Sequence, residues 1–218
     1  MEPNIRIRAA RWADKDTVAG LIADALHPTP LGQWLVPAAR RQLLADVLLI
    51  WVEHALFFGD VHLTDDLTAT TVGFHRYRPI PPPANHRARL GDTAGAHADR
   101  FNLLDMLVAE KQPTEPHYHL AFLAVRPDAQ RTGRATAMLK HHRSRIDRVD
   151  LPCWTTTFAD GQPLLTRYGY TPRPSITLPD GPTLHPMRRN PIGSSGGSPI
   201  NPTHPTSPTD TADHGLPQ

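Results

Sequence analysis

The chain has 218 residues, which is enough for one ordinary domain with an appendage and too few for two large domains. Lysine plus arginine total 23 and aspartate plus glutamate total 21, so a net charge of +2 gives no general attraction to nucleic acid or to an anionic membrane. The single cysteine, Cys153, excludes an internal disulfide and a zinc site built on several thiolates.

The apolar runs are short. The longest, Val47–Val52, is far below the roughly 20 residues that a bilayer span needs, and the first ten residues lack the apolar core of a signal peptide. We therefore expect a cytoplasmic protein with no membrane partner. Lys15, Lys111 and Lys140 are the only lysines, and a bias toward arginine, alanine and proline suggests a bacterial genome rich in GC.

The first half of the chain predicts alternating strands and helices. Apolar residues recur every second position in the predicted strands and every third or fourth position in the predicted helices. In chain order the predicted elements are strand Ile5–Ala9, a helix from Asp14 or Asp16 to His27, a helix with Pro37 in its first turn that continues to Trp51, strands Leu56–Leu63 and Thr70–Arg78, and a helix over Ala94–Val108. The run Pro79–Pro83 breaks regular structure and opens a long loop, Ile80–Asp92.

The second half continues this alternation. Its predicted elements are a buried central strand Tyr118–Val125, a helix Gln130–Ile146, a strand Cys153–Phe158, a short helix Pro163–Tyr168, and a closing pair of strands, Arg173–Thr177 and Thr183–Arg188. This order indicates an α/β or α+β fold around one mixed sheet.

The composition changes near Asn190. Residues 190–218 are mostly proline, glycine, serine, threonine, aspartate, histidine and asparagine, and such a stretch cannot bury enough apolar surface to offset its ordering entropy. We expect one domain over residues 1–189 and a disordered tail over residues 190–218.

The segment most informative about function joins the central strand to the helix that follows it. After Val125 the chain turns at Arg126-Pro127 and passes through Gln130-Arg-Thr-Gly-Arg-Ala135 into the helix. Gly133 has no side chain to obstruct a ligand, and the free N–H groups at a helix start attract anions. The segment predicts a pyrophosphate cradle, with an ordinary strand–turn–helix join as the alternative. Neither a P-loop pattern nor a Gly-x-Gly-x-x-Gly pattern is present.

The order Leu123-Ala124-Val125-x-Pro127-x-x-Gln130-x-x-Gly133-x-Ala135 resembles the acetyl-CoA signature of the GCN5-related N-acetyltransferases (GNAT). The segment from Pro163 to Tyr170 resembles the late helix of that family. The resemblance implies a single GNAT-like domain with a central mixed, mostly antiparallel sheet flanked by helices, and acetyl-CoA as co-substrate without a metal. It also makes a homodimer an expectation by analogy.

The same resemblance implies roles for these residues. The segment Leu123-Ala124-Val125 would contact the pantetheine arm, with the backbone groups of Leu123 and Val125 pairing with it like an added strand. The amides from Gln130 to Ala135, which include those of Arg131, Thr132 and Gly133, would bind the pyrophosphate. The side chains of Arg131 and Arg134 would approach the phosphates, and solvated surface arginines are the alternative for them.

Acetyl transfer to an amine needs a group that accepts the ammonium proton. By the two-residue period of a strand, His117, His119, Ala121, Leu123 and Val125 share one face. His119 lies six residues before Val125, where some family members keep a glutamate or histidine base, and an imidazole pKa near 6.5 suits neutral operation. A structural, hydrogen-bonded histidine is the alternative, and His117 and Glu115 are weaker candidates.

The CoA thiolate that departs needs a group that protonates or stabilises it. Many family members place a tyrosine four residues before the glycine of the late helix, and this chain has Leu165 there, before Gly169. Tyr168 is the substitute candidate for the general acid. The alternative is a catalytically weak acyl-CoA-binding module that acts as a sensor or interaction partner.

These observations predict acetyl transfer from acetyl-CoA to a primary amine by direct attack. A small-molecule acceptor is favoured over tRNA or a protein, because no acidic groove for basic peptides is evident and the net charge is small. We expect the acceptor to lie over the first two helices, the loop Ile80–Asp92 and the third helix.

Overall fold

The computed structural model describes residues 5–37 and 40–191. The helices are α1 (Lys15–Leu26), α2 (Pro30–Leu35), α3 (Arg41–Phe58), α4 (His86–Ala94), α5 (Ala98–Lys111), α6 (Arg134–Ile146) and α7 (Gln162–Arg167). The strands are β1 (Ile7–Ala9), β2 (Asp60–Thr64), β3 (Ala69–Arg76), β4 (His117–Val125), β5 (Cys153–Thr157), β6 (Thr171–Pro172), β7 (Ile176–Thr177) and β8 (Thr183–Arg189).

One sheet organises the domain, with strand order β1-β2-β3-β4-β5-β8-β6 and β7 paired to β8. Neighbouring strands are antiparallel except β4 and β5, which are parallel. The expected mixed, mostly antiparallel sheet is therefore confirmed. The predicted closing pair of strands is present as β7 and β8. Strand β8 also pairs with β5 and so belongs to the main sheet.

Helices cover both faces of the sheet. On one face the large core contains Ile22 of α1, Leu44 and Leu48 of α3 and Phe101 of α5, together with Phe74 of β3. On the other face, helices α6 and α7 pack over two smaller clusters, one around Leu120, Leu139 and Leu165 and one around Val125 and Met138. Below, these two sides are called the α3 face and the α6 face.

The first helices differ from the prediction. An additional helix, α2, begins at Pro30, where the missing N–H of proline costs little, and the Thr29 side chain caps it by accepting a hydrogen bond from the Gly32 amide at 3.2 Å. Pro37 lies outside a helix, and α3 begins at Arg41. Helix α3 also extends through Leu56, which was predicted to start a strand, because its buried apolar spacing continues to Ala55.

The region expected to be a long loop contains a second unpredicted helix. Helix α4 occupies His86–Ala94, and Gly95, with φ of +52°, ends it. The predicted helix over Ala94–Val108 therefore begins only at Ala98, after a short 3-10 turn. A left-handed residue interrupts the continuous helical spacing that the sequence suggested.

The last described strand ends at Arg189. The predicted tail over residues 190–218 lies outside the described residues, apart from its first two positions. Within residues 5–37 and 40–191, none of the helices is long and apolar enough to cross a membrane.

Candidate active site

Strands β4 and β5 separate half-way along β4. They pair at Tyr118 with Cys153, at His119 with Trp154 and at Leu120 with Thr155, and the Thr155 hydroxyl donates to the Leu120 carbonyl at 2.8 Å. Beyond Leu120, β4 continues to Val125 paired only with β3. This leaves a wedge-shaped opening in the sheet, bordered by one unpaired edge of β4.

A β-bulge determines which backbone groups line the wedge. Gly73 of β3 is opposite Leu120 and Val72 is opposite Phe122, so Ala121 is an extra residue in β4. Further along, the Arg126 amide donates to the Thr68 carbonyl at 2.8 Å and faces β3. Because backbone groups alternate in direction, those of Phe122 and Ala124 also face β3, whereas those of Leu123 and Val125 face the wedge.

The bulge also changes which side chains share a face. The prediction that His117, His119 and Ala121 lie on one face with Leu123 and Val125 is wrong. Leu123 and Val125 pack into the α6-face clusters, and Ala121 packs into the α3-face core. His119 is opposite Phe74 on the α3 face. An inserted residue reverses the two-residue period, and the sequence contains no signal for it.

The turn before α6 has the backbone shape expected of an anion cradle. Gly133 is the N-cap of α6 with φ of +86°, and Arg131 is also left-handed with φ of +60°. A Cβ atom built at Gly133 would meet nothing within 4 Å, so the space beside the backbone is open. The Ala137 amide already bonds to the Gly133 carbonyl at 2.9 Å, and the preceding amides of the first turn point outward.

The side chains of this turn hold its shape. The Gln130 side chain donates through Nε2 to the Val125 carbonyl at 3.3 Å, and the Thr132 hydroxyl donates to the Ala129 carbonyl. Arg134 donates to Asp66 at 2.5 Å and to Thr132 at 2.6 Å, so its guanidinium is engaged with the β2–β3 turn. Arg131 is exposed and forms no ion pair with another residue of the described chain.

Partial desolvation acts to raise the pKa of Asp66. Hydrogen bonds from Thr68, Thr64 and Arg134 outweigh it and hold the pKa well below the usual range of a carboxyl. The ion pair with Arg134 is therefore present at neutral pH and fixes the cradle against the β2–β3 turn.

His119 lies in a different environment from the one its sequence suggests. Its side chain is buried, and Nδ1 has no hydrogen-bond partner in the described structure. Burial, followed by the charges of Arg76 and His117, lowers the pKa of His119 to about 3. The imidazole is therefore neutral at physiological pH, and the expected pKa near 6.5 does not hold in this environment.

His117 is buried beside it. One of its ring nitrogens, Nδ1, lies 2.8 Å from the Glu115 carbonyl, whereas Nε2 has no partner among the described residues. Burial is the main cause of its lowered pKa. The sequence makes His117 a weaker candidate for the base than His119. In the structure its unpartnered Nε2 lies on the same face of the sheet as His119.

The late helix carries no obvious proton donor. Leu165 is 5% exposed and packs in the α6-face core. Tyr168 follows α7 as its C-cap and packs partly buried against the same cluster, and its hydroxyl forms no hydrogen bond within the described part of the chain. Cys153 is no alternative, because burial raises the pKa of its thiol to about 12 and Tyr170 donates a hydrogen bond to Sγ at 2.9 Å.

Two open clefts lie elsewhere on the surface. One, of about 570 Å³, lies between α1 and α3 and reaches Arg126, and the other, of about 490 Å³, lies between Trp34, Arg100 and the β7–β8 turn. Neither is lined by the Gln130–Ala135 turn or by His119. Among residues 5–37 and 40–191, no group of three or more side chains is placed to hold a metal ion.

Sequence reasoning missed several polar residues on the α3 face. Arg76, Trp154, Thr156 and Arg188 each carry a buried polar atom without a partner in the described structure. The sequence gives little indication of a shared role for these residues, because each is a single polar or aromatic residue within a strand and none belongs to a motif. Only the pairing of the strands places them beside the histidines.

The fold and this geometry can be compared with solved structures. An acetyltransferase from Corynebacterium glutamicum, described as histone acetyltransferase HPA2 and related acetyltransferase, matches 88% of this chain and 99% of its own, with 19% identity and a TM-score of 0.66. Arylalkylamine N-acetyltransferase 2 from Aedes aegypti matches 86% of this chain and 99% of its own, with 15% identity and a TM-score of 0.62. A GCN5-related N-acetyltransferase from Rhodopseudomonas palustris matches 87% and 98%, with 10% identity and a TM-score of 0.55.

This chain has the GNAT fold. No family model matches the sequence. In this GNAT fold, the segment from Leu123 to Ala135 that resembles the acetyl-CoA signature coincides with the wedge edge and the cradle. The sequence motif and the open edge of the sheet therefore coincide.

Proposed function

We propose that the protein is an N-acetyltransferase that moves an acetyl group from acetyl-CoA directly to a primary amine of a small molecule. The observation that carries the proposal is the unpaired edge of β4 at Leu123 and Val125, which leads without interruption into the Gly133-capped start of α6. An extended amide-containing chain can pair with the edge, and a pyrophosphate can be bound by the amides of the turn. The likeness to solved acetyltransferases supports it.

In this proposal the backbone groups of Leu123 and Val125 bind the pantetheine arm, and the amides from Gln130 to Ala135 bind the pyrophosphate. Arg131 has an unengaged side chain and approaches the phosphates. Arg134 contributes its amide, because its guanidinium is engaged with Asp66. Ala124 positions the edge through its backbone pairing with Thr70 of β3.

The acceptor amine lies on the α3 face beside the point where β4 and β5 separate. There its nitrogen attacks the thioester carbonyl carbon, the carbon–sulfur bond breaks, and the thiolate leaves. His119 Nδ1, neutral and unpartnered, accepts the proton that the attacking nitrogen loses. Tyr168 is the candidate donor of a proton to the thiolate.

Acetyl-CoA binding by the cradle can be tested by calorimetric titration of Gly133→Trp. The wild type is expected to bind with a Kd in the micromolar range, and the variant is expected to lose binding because the indole occupies the space beside the amides. Gly95→Trp is the matched control, since Gly95 also has positive φ and open space at its Cβ but lies at the end of α4. Absence of binding to the wild type would overturn the proposal.

A second candidate function is acyl-CoA binding without efficient transfer. The observation that favours it is the burial of Leu165 in the core, where many proteins of this kind have a tyrosine. Release of free CoA thiol in a panel of primary amines separates the two functions. Binding without thiol release from any amine would support the binding module.

A further inference from the structure

Unpartnered polar atoms are concentrated on one face of the sheet. The described part of the chain has nine buried side-chain nitrogen or oxygen atoms without a partner, and six belong to the α3 face of four neighbouring strands. These six are Arg76 Nε, His117 Nε2, His119 Nδ1, Trp154 Nε1, Thr156 Oγ1 and Arg188 Nε. Buried polar groups are normally hydrogen-bonded, so this concentration indicates that something else completes them.

Strand pairing brings these side chains together. Arg76 is opposite His117, His119 is opposite Trp154, and Trp154 is opposite Arg188. Directly paired residues project to the same face of a sheet, so these side chains form one continuous surface. His117 is 3% exposed, His119 8% and Trp154 5%, which means that water reaches little of this surface.

The charge of this surface is positive and only partly balanced. Arg188 forms an ion pair with Glu115 at 2.8 Å. Arg76 forms no ion pair with any residue in the described ranges, and its guanidinium lies 5.4 Å from the Phe74 ring centre. A half-buried guanidinium without an acid is costly, and it becomes favourable when a ligand supplies an anion.

The anion is not a phosphate of acetyl-CoA bound at the cradle. Arg76 is opposite the first residue of β4, whereas the cradle follows its last residue. The length of the strand separates the two by roughly 25 Å. Arg76 is much nearer to His119, because His117 and His119 are about 7 Å apart along the strand.

We infer that the acceptor is an amine that also carries a carboxylate, and that the carboxylate binds Arg76 with the indole N–H of Trp154 as a further donor. This inference rests on the proposed function and specifies its substrate class. A planar carboxylate suits the guanidinium, which donates in a planar fork. Along the strand direction Arg76 and His119 are offset by about 7 Å, which suits the separation of amine and carboxylate in an extended ω-amino acid.

The test compares 5-aminopentanoate with pentylamine, which lacks only the carboxylate. For the wild type we expect kcat/KM to be at least about tenfold higher with 5-aminopentanoate, because a charge-assisted hydrogen-bonded pair is worth about 1.5–3 kcal/mol. Arg76→Met should abolish this preference through a higher KM for 5-aminopentanoate. Arg78→Met is the matched control, since Arg78 is exposed and lies beyond the same strand.

Arg76→Lys keeps the charge and should retain part of the preference, which provides a reading if Arg76→Met does not fold. Calorimetric titration of 5-aminopentanoate into the protein without acetyl-CoA gives a second readout that needs no turnover. Binding to the wild type and Arg78→Met but not to Arg76→Met supports the inference, and no binding to the wild type overturns it.

Equal kcat/KM for the two amines in the wild type would overturn the carboxylate inference and leave the proposed acetyl transfer intact. Failure of acetyl-CoA to bind would overturn the proposed function, while the direct titration would still decide whether Arg76 binds a carboxylate. A clear preference for 4-aminobutylphosphonate over 5-aminopentanoate would assign the surface to a phosphonate-like group and overturn the carboxylate.

Discussion

At the scale of single residues, burial decides what each titratable group can do. His119 and His117 have the residue type expected of a base, yet burial keeps both neutral. Asp105 on α5 shows the opposite case, since burial raises the pKa of its carboxyl to about 7. Residue identity therefore suggests a role, and the surroundings determine the protonation state in which the role is performed.

His119→Ala should lower kcat by about 10²–10⁴-fold if His119 accepts the proton. Because burial lowers its pKa to about 3, His119 should contribute no inflection near pH 6.5 to the profile of kcat/KM. The measurement is the pH profile of acetyl transfer between pH 5 and 9 for the wild type and the variant. His97→Ala, in the turn after α4, is the control, and unchanged turnover in His119→Ala would remove the assignment.

At the scale of elements, one inserted residue in β4 determines the geometry of the wedge. The bulge at Ala121 directs the backbone groups of Leu123 and Val125 away from β3 and toward the open edge. The same residue leaves His119 on the α3 face and Leu123 on the α6 face. A regular strand of the same composition would present neither arrangement.

Deletion of Ala121 should leave acetyl-CoA binding intact, because Leu120 and Phe122 then become consecutive residues opposite Gly73 and Val72, and the backbone groups of Leu123 and Val125 still face the wedge. Calorimetric titration measures the Kd of the variant, and a thermal melt reports whether it remains folded. Ala121→Ser keeps the inserted residue and should bind like the wild type. Loss of binding by a deletion variant that remains folded would contradict the assignment of the β4 edge.

At the scale of the whole molecule, several buried histidines make stability depend on pH. Burial lowers the pKa of His142 to about 3 and that of His62 to about 4. The folded pKa lies below the unfolded value near 6.5, so the unfolded chain binds more protons and the free energy of unfolding falls as pH drops below 6.5. Asp105 acts in the opposite sense, since its protonation between pH 7 and 4 favours the folded state.

His142→Phe should flatten the acid limb of stability. The substitution keeps the ring contact with Tyr118, whose centroid lies 5.0 Å from that of His142, and removes the titration. Between pH 7 and 4.5 the wild type should lose up to about 3 kcal/mol more than the variant, since one pKa unit corresponds to about 1.4 kcal/mol. Urea unfolding at the two pH values gives the difference, and parallel losses would contradict the prediction.

The order of most elements could be predicted from the sequence, because apolar spacing and turn residues act over short distances. The central strand ends at Val125 and the late helix precedes Gly169, as predicted. The segment from Gln130 to Ala135 was identifiable because glycine at Gly133 and a following helix are local requirements for an anion cradle. Two short helices, α2 and α4, were missed because proline-rich surroundings suggested loops.

The way in which the strands pair could not be predicted from local spacing. The wedge between β4 and β5, the bulge at Ala121 and the low pKa of His119 all depend on the strands and helices that pack around β4. The gathering of Arg76, Trp154 and Arg188 beside the histidines depends on pairing between residues more than 30 positions apart in the chain. The local spacing of apolar residues predicts a strand and the side chains that share one of its faces. Strand register, burial and charge balance arise only when distant segments are in contact.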